Sequence, residues 1–455
     1  MRPHVRAKLA SLPEDERILL RPLVDTSPRF YMVAAVLAAV VVWGFVAYYL
    51  QLRYGLGRTG LNRPEYWGIY IICFVFFIGI SHAGTLISAI LRVSQAEWRR
   101  SITRSAELIT VLVIGFGAIQ PIIDLGRPDR LLNVVFHAQW RSPLLWDVVS
   151  IGLYFTSCTI YLYVPLLPDL AIIRDSGIKA PRLYRFLAAG YQDTVVQRAR
   201  LERVIAILSV AVIPIAISVH TIIGWIFAMT LRPMWHSTIF GPYFVIGAIH
   251  SGIAAILVAM VVLRRVYGLE HYFREVHFDY LGKMLLIFSA LWLYFTFAEH
   301  LTVLYGAEPA EMRTFWAKIS GRYAVPFWTM VGGCFLVPFV LMARRATRTP
   351  AGVFVAGIAV VIGMWLERYN IVVPTSVNPI WEMEAIGRYL PSWIEISIMA
   401  GAVAGFTLLY MVATKFVPIV SIWEIKEARA VVEDVAERVR RYSSASFSPK
   451  LTDSA

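Results

Sequence analysis

Apolar residues fall into ten long runs, near residues 30–51, 66–93, 105–124, 143–167, 203–229, 237–263, 280–305, 323–343, 351–371 and 392–416. A helix needs roughly 20 such residues to cross hydrocarbon. Lipid offers no partner to an open backbone, and these runs are too long for tilted barrel strands, so the pattern predicts helices. The expected fold is therefore an all-α integral membrane protein of about ten transmembrane helices.

The polar stretches divide the chain further. Residues 1–28 read as a soluble arm rather than a Sec-type signal, because Arg2, Arg6, Lys8, Arg17 and Arg21 are mixed with Glu14, Asp15 and Glu16. Spans 1–4 occupy 29–167, a polar loop with a short surface helix 168–202, spans 5–9 residues 203–371, and an outer loop with span 10 residues 372–416. The tail, 417–455, starts as a charged helix and ends in a Ser-rich segment expected to be disordered.

Span 2 carries Gly79-Ile-Ser-His82-Ala-Gly84 and span 6 carries Gly247-Ala-Ile-His250-Ser-Gly252. Span 4 opens Pro143-Leu-Leu-Trp146-Asp147, and span 8 opens Pro326-Phe-Trp328-Thr329. These matches predict two four-helix bundles, spans 2–5 and 6–9, related by a parallel repeat and flanked by spans 1 and 10. Glycines around a histidine let helices approach closely, which turns the imidazole toward the bundle interior.

Charge changes the picture by giving it an orientation. Only 16% of residues are charged, against roughly 25% in soluble domains, yet the net charge is +13. In a soluble protein that excess could indicate nucleic acid; here it follows the loops. Arg92, Arg99, Arg100 and Arg104, the loop from Arg174 to Arg203, Arg264 and Arg265, and Arg344, Arg345 and Arg348 all fall on one side, where the positive-inside bias places the cytoplasm. Both termini are expected there, in a multi-pass protein of the bacterial inner membrane. Three single cysteines, Cys73, Cys158 and Cys334, form no C-x-x-C pair, so no metal site or iron–sulfur cluster is expected on this chain.

The candidate chemistry lies at span ends. Asp124 closes span 3 and Asp147 opens span 4, with Arg127, Arg130 and Arg141 between them. A carboxylate at the edge of hydrocarbon is costly unless it is paired or handles protons. His220, His236, Glu299, His300, Glu367 and Arg368 crowd the same half of the membrane, while His82, His250 and Glu107 lie deeper or toward the cytoplasm. Each has a plainer explanation: interhelical hydrogen bonds for the histidines, a Glu367–Arg368 pair at the interface, a one-turn Arg104–Glu107 pair, an Asp124–Arg127 pair, and a helix cap for Asp147. Together they exceed what packing requires. Quinone chemistry would use them, since its two carbonyl oxygens need proton donors and acceptors beside an aromatic slot such as Trp146 offers.

The runs SHAGTLISAILR, RSAELITV, DLGRPDR and SPLLWDVVSIGLY resemble the NrfD/PsrC family, the quinone-reactive membrane subunits of polysulfide-reductase-type complexes. SVHTIIGW, MWHSTIFGPYFVIGAIHSG, FWTMVGG, GMWLERYNIVVP and KFVPIVSIWEIKE resemble the ten-span NrfD-like subunits of alternative complex III. The resemblance covers about residues 29–428. It implies a subunit without haem or metal that binds menaquinone or ubiquinone beside an iron–sulfur or molybdopterin-type peripheral partner. In the alternative complex III branch, c-type cytochromes and a second NrfD-like subunit join them.

The resemblance also implies site residues. It assigns the quinone pocket to Asp124 and Asp147; His82 is then expected as a deeper hydrogen-bond partner, Arg127 as an orienting charge, and Trp146 as a flat wall. That branch carries histidine where Asp124 stands. A proton path through His82, Glu107, His220, His250, Glu299 and His300 would follow. Two other classes fit parts of the pattern. A secondary transporter would use broken helices at the midplane, and a di-haem cytochrome would use paired histidines on one helix, whereas these come one per span.

Overall fold

The computed structural model describes residues 3–61, 66–378 and 387–445. Among them every regular element is helical: α1 Pro3–Ala10, α2 Glu14–Val24, α3 Pro28–Tyr54, α4 Ile69–Val93, α5 Thr103–Asp124, α6 Asn133–Phe136, α7 Pro143–Ser176, α8 Pro181–Leu187, α9 Val195–Ala228, α10 Phe240–Tyr267, α11 Glu275–Gly306, α12 Pro309–Ile319, α13 Ala324–Val331, α14 Val337–Ala343, α15 Pro350–Val377, α16 Trp393–Ala413 and α17 Ile422–Ala445. A π-helical turn, Gly332–Leu336, joins α13 to α14, so the two run as one span. Among the described residues ten helices are long and apolar enough to cross a membrane, in agreement with the ten hydrophobic runs.

Start signals act where the sequence puts them. Ser27 accepts from the Phe30 amide at 3.3 Å with Pro28 at the first helical position of α3, and Ser392 and Glu395 form a reciprocal capping box on α16. Two helices outrun the membrane. α7 continues to Ser176 and α9 begins at Val195, so most of the expected loop 168–202 is helix, with α8 between. Pro165 and Pro168 lie inside α7 without ending it.

In the first half, α4 packs on α5 and α9, and α7 packs on the same two helices. In the second half, α10 and the α13–α14 span each pack on α11 and α15. The halves meet mainly along α10, which lies against both α4 and α9. α3 and α16 pair with each other to one side, where a side chain at Gly44 would meet the Gly401 backbone at 3.0 Å. That close approach uses small residues in place of a hydrophobic driving force. A repeat relation between the halves remains an expectation drawn from the two glycine–histidine motifs.

The N-terminal arm and the tail are tied together at one end of the bundle. Leu19, Leu20 and Leu23 of α2 are buried, Tyr272 donates to Asp15 at 2.5 Å, and Arg429 and Lys426 of α17 pair with Asp15 and Glu16. Glu424 anchors α17 through Arg92 at 2.5 Å and Arg99 at 3.1 Å. Burial alone would raise its pKa, but the guanidiniums of Arg99, Arg92 and Arg104 hold it below the usual glutamate range. The charged residues expected on a free arm and tail therefore face each other.

Candidate functional site

α7 supplies the frame of the site. Its buried face reads Asp147, Ser150, Tyr154, Cys158, Tyr161, Pro165 and Asp169, recurring every three or four residues as one helical stripe must. At about 1.5 Å per residue the stripe from Asp147 to Asp169 is about 33 Å long, close to the roughly 30 Å of hydrocarbon. One helix thus carries polar groups from one membrane edge to the other.

Neighbouring helices line that stripe with further polar groups. Tyr154 donates to the Ser81 carbonyl at 3.3 Å, and Thr110 of α5 donates to the same oxygen at 2.7 Å. Thr85 lies 3.3 Å from the Cys158 sulfur. Lower down, Ser88 donates to Glu107 at 3.0 Å and lies 3.2 Å from the Tyr161 hydroxyl, which in turn lies 3.4 Å from Ser209. At the end bearing the termini, Arg104 donates to Asp169 at 3.0 Å, and Asp169 also accepts from the Ile422 and Trp423 amides at 3.0 and 3.1 Å. The expected Arg104–Glu107 pair is looser, at 3.9 Å, because Asp169 takes the guanidinium.

Two histidines stand against the middle of the stripe. His82 presents Nδ1 to the Ile78 carbonyl at 2.9 Å and Nε2 to the Ala216 carbonyl at 2.8 Å, so both contacts are satisfied together only by a doubly protonated ring. The His220 ring packs edge-on with centroids 4.1 Å apart, and among the described residues neither of its nitrogens has a hydrogen-bond partner.

At the opposite end from the termini, Asp147 is buried and, among the described residues, makes no ion pair and has Oδ1 without a hydrogen-bond partner. Such an oxygen costs roughly 1–3 kcal/mol unless something occupies it. On the same turns of α7, but walled by Asp147's sequence neighbours rather than by Asp147 itself, lies a cleft of about 380 Å³ toward α9, whose walls include Trp140, Trp146, Val149, Ser150, Pro214 and Ser218. Trp146 is held there by donating to the Trp140 carbonyl at 2.7 Å, and Ser150 donates to the Asp147 carbonyl at 3.0 Å. Val149 and Leu153 are more than half exposed on the lipid-facing surface, so the cleft opens sideways toward hydrocarbon.

Asp124 sits in a different setting. Its Oδ1 is also buried without a partner among the described residues, but the carboxylate whose charge reaches it is Glu395 of α16. Glu395 accepts from Tyr389 and the Gly60 amide at 2.6 Å each and from the Ser392 amide at 2.7 Å. Nearby, Tyr70 donates to Gln51 at 2.5 Å, and Gln51 donates to the Ile123 carbonyl at 2.9 Å. No hydrogen bond joins Asp124 to Asp147 among the described residues. Arg127, expected as an orienting charge or as a partner for Asp124, is turned to the surface and forks onto Asp129 at 3.1 and 3.0 Å. A two-residue spacing within the tight turn makes that pair local.

The remaining candidates gather in the second half. His250 places Nε2 3.0 Å from the Cys334 carbonyl, which the π-helical turn exposes. His300 contacts the Thr296 carbonyl through Nδ1 at 2.8 Å, and among the described residues its Nε2 has no partner. Glu299 and Glu367 are buried and lie within electrostatic reach of Lys318 on α12. Glu367 and Arg368, expected at the membrane interface, are instead 1% and 2% exposed and 2.5 Å apart, because α15 continues past them to Val377.

Several members of these clusters escape a reading of the sequence. Asp169 lies beyond two prolines that conceal the continuation of α7, and Lys318 belongs to a short helix in a stretch read as loop. Glu395 carried a usable signal, since Ser392-x-x-Glu395 before an apolar run is a capping box. Gln51, Tyr70 and Tyr389 carried none. Among the described residues no three His, Cys, Asp or Glu side chains come together as metal ligands.

Comparison with known proteins places this architecture. The family description "Polysulphide reductase, NrfD" matches residues 57–379. A protein of Halobacterium salinarum, named as a candidate membrane subunit of dimethyl sulfoxide reductase, is 28% identical over 90% of this chain and 96% of its own length. A selenate reductase subunit of Mesobacillus selenatarsenatis is 25% identical over 84% of this chain and 93% of its own. The Hdr-like menaquinol oxidoreductase integral membrane subunit of Archaeoglobus fulgidus is 24% identical over 90% and 97%. These relatives span a wider set than the alternative complex III branch whose motifs the sequence resembles.

Proposed function

The chain belongs to the polysulphide reductase NrfD family, and we propose that it is the quinone-exchanging subunit of its complex. Its relatives are membrane subunits of reductase and menaquinol oxidoreductase complexes, and its setting is accordingly an oxidoreductase assembly in a membrane. The observation that carries the finer reading is the apolar cleft between α7 and α9, walled by Trp146, Val149 and Ser150, on the same turns of α7 as the buried Asp147 carboxylate.

The donor set fits a quinone. An aromatic-walled, lipid-facing slot suits the ring and its hydrocarbon tail, and a buried carboxylate suits a ring oxygen that gains or loses a proton. The substrate itself carries the redox chemistry: oxidising a hydroquinone releases two electrons and two protons, and reducing a quinone takes up the same. Asp147 accepts or returns a proton at its free oxygen, Trp146 and Trp140 hold the ring plane, and Ser150 fixes the helix turn below. The electrons pass to or from an iron–sulfur partner at the end of the bundle where Asp147 lies. The relative named for menaquinol favours a menaquinone-class substrate here. The arginine-rich loops favour a cytoplasmic side for both termini.

The stripe on α7 gives the protons a route. From Asp147 it runs past Tyr154 and the His82–His220 pair to Tyr161, Ser88 and Glu107, with polar groups at each turn. Asp147→Asn in the purified complex tests the assignment. It is expected to lower quinol-linked turnover by about 100-fold or more, the usual span for losing a positioned proton acceptor, with assembly retained and partial recovery in Asp147→Glu. Undiminished turnover in an assembled Asp147→Asn complex would overturn it.

A further inference from the structure

Arg104 of α5 stands where the polar stripe of α7 meets the end of the bundle bearing the termini. Its Nη2 donates to Asp169 at 3.0 Å and to the Pro165 carbonyl at 2.8 Å, and its Nη1 lies 3.9 Å from Glu107 Oε2. That Glu107 oxygen is buried and has no hydrogen-bond partner among the described residues, while the other accepts from Ser88. One guanidinium thus touches the last carboxylate of the stripe on one side and Asp169 on the other. All three side chains are buried, although they lie within a turn or two of the helix ends.

What covers them is the start of α17. Ser421 donates to Asp169 at 3.3 Å, the Ile422 and Trp423 amides donate to the same carboxylate at 3.0 and 3.1 Å, and the Trp423 indole donates to the Pro165 carbonyl at 2.8 Å. Asp169 thereby satisfies the first amides of α17, a task that usually falls to the residue just before a helix. Glu424 then pairs with Arg92 and Arg99, and Arg100 donates to the Glu424 carbonyl at 3.0 Å and to Glu427 at 2.8 Å. Further along the grip loosens. Lys426 and Arg429 are nearly half exposed in their pairs with Glu16 and Asp15, and Val431 and Val435 are more than half exposed. An anchor for a tail needs a grip somewhere on this face, but it need not share its guanidinium with the stripe.

We propose that the start of α17, residues 421–424, is a plug over the end of the polar stripe, and that Glu107 meets bulk water only when this plug lifts. Asp169 and Glu424 are its two fastenings: the first holds α17 from α7, and the second holds it onto Arg92 of α4 and Arg99 of the turn between α4 and α5. Lifting α17 takes three hydrogen bonds from Asp169 and opens Arg104 and Glu107 to the side bearing the termini. With the plug in place Glu107 is in contact only with the interior, through Ser88 and Tyr161. Its meaning for proton traffic rests on the route proposed above, but the closure itself stands on the contacts.

The test compares two rates in the assembled complex in lipid: hydrogen–deuterium exchange of the first turn of α17, and coupling of Glu107 to glycine amide by a water-soluble carbodiimide, both read by mass spectrometry. In the wild type Glu107 should couple at least about tenfold more slowly than the exposed Glu97. Asp169→Asn weakens the hydrogen bonds that seat α17, and Glu424→Gln removes its charge pairs, so each should raise both rates about tenfold. Glu424→Gln leaves α5 and α7 as they are, and it decides the matter where Asp169→Asn does not assemble. Wild-type Glu107 coupling as fast as Glu97, faster exchange with Glu107 still uncoupled, or exchange unchanged in the assembled variants would each overturn the plug. Neither rate needs quinol, so a failure of the Asp147 assignment leaves this result intact and the converse also holds.

Discussion

Asp124 and Asp147 flank the same loop, yet they stand in different surroundings. Asp124 lies beside a closed set of hydrogen bonds in which Gln51, Tyr70, Tyr389 and Glu395 tie α3, α4 and α16 together. Asp147 sits on the turns of α7 whose neighbouring residues Trp146, Val149 and Ser150 wall an exposed apolar cleft, and it heads the polar stripe along α7. The same side chain at the same depth is a neighbour of scaffold in one place and the mouth of a route in the other. What separates them is whether adjoining polar groups already satisfy one another.

The largest effect should come from setting the two against each other. Asp147→Asn is expected to cost about 100-fold in quinol-linked turnover and Asp124→Asn only several-fold, because the first removes the proton acceptor at the cleft and the second alters a charge near it. Equal losses in steady-state rates would erase the distinction. Filling the cleft comes next: Val149→Trp should raise the quinone KM about tenfold with kcat nearly unchanged, as expected when uniform binding is lost. A fall in kcat alone would move the substrate elsewhere.

Glu395→Gln sharpens the scaffold side. It weakens an acceptor of three hydrogen bonds, so thermal stability of the complex should fall by about 1–3 kcal/mol while turnover per assembled complex stays within about twofold. The smallest effect is reserved for Arg127→Ala. Its guanidinium is exposed and paired with Asp129, and exposed pairs of this kind contribute about 0–1 kcal/mol, so rates and stability should both remain near wild type. A tenfold loss of turnover there would show the Arg127–Asp129 pair opening toward the substrate.

Much of the fold was legible in the sequence, because hydropathy and length decide a membrane helix almost alone. Asp147 was legible for the same reason: a carboxylate at a span edge stands out against apolar neighbours. Relations between spans were not. The interior position of Glu367 and Arg368 depends on α15 running on to Val377 through a segment whose polar residues suggested an end. Asp169 was hidden because prolines inside a long helix look like a terminus. Glu395 satisfies partners on segments more than 300 residues apart in the chain, Gly60 among them, and no local pattern encodes that.

The most direct measurement is photolabelling of the assembled complex with an azido-quinone, followed by mass spectrometric mapping. The account predicts label between Trp140 and Leu153, in the turn before α7 and its first turns, and on α9 between Pro214 and Ile222, displaced by excess unlabelled quinone. Displaceable label confined to the Gln51, Tyr70, Asp124 and Glu395 side, with none between α7 and α9, would contradict it.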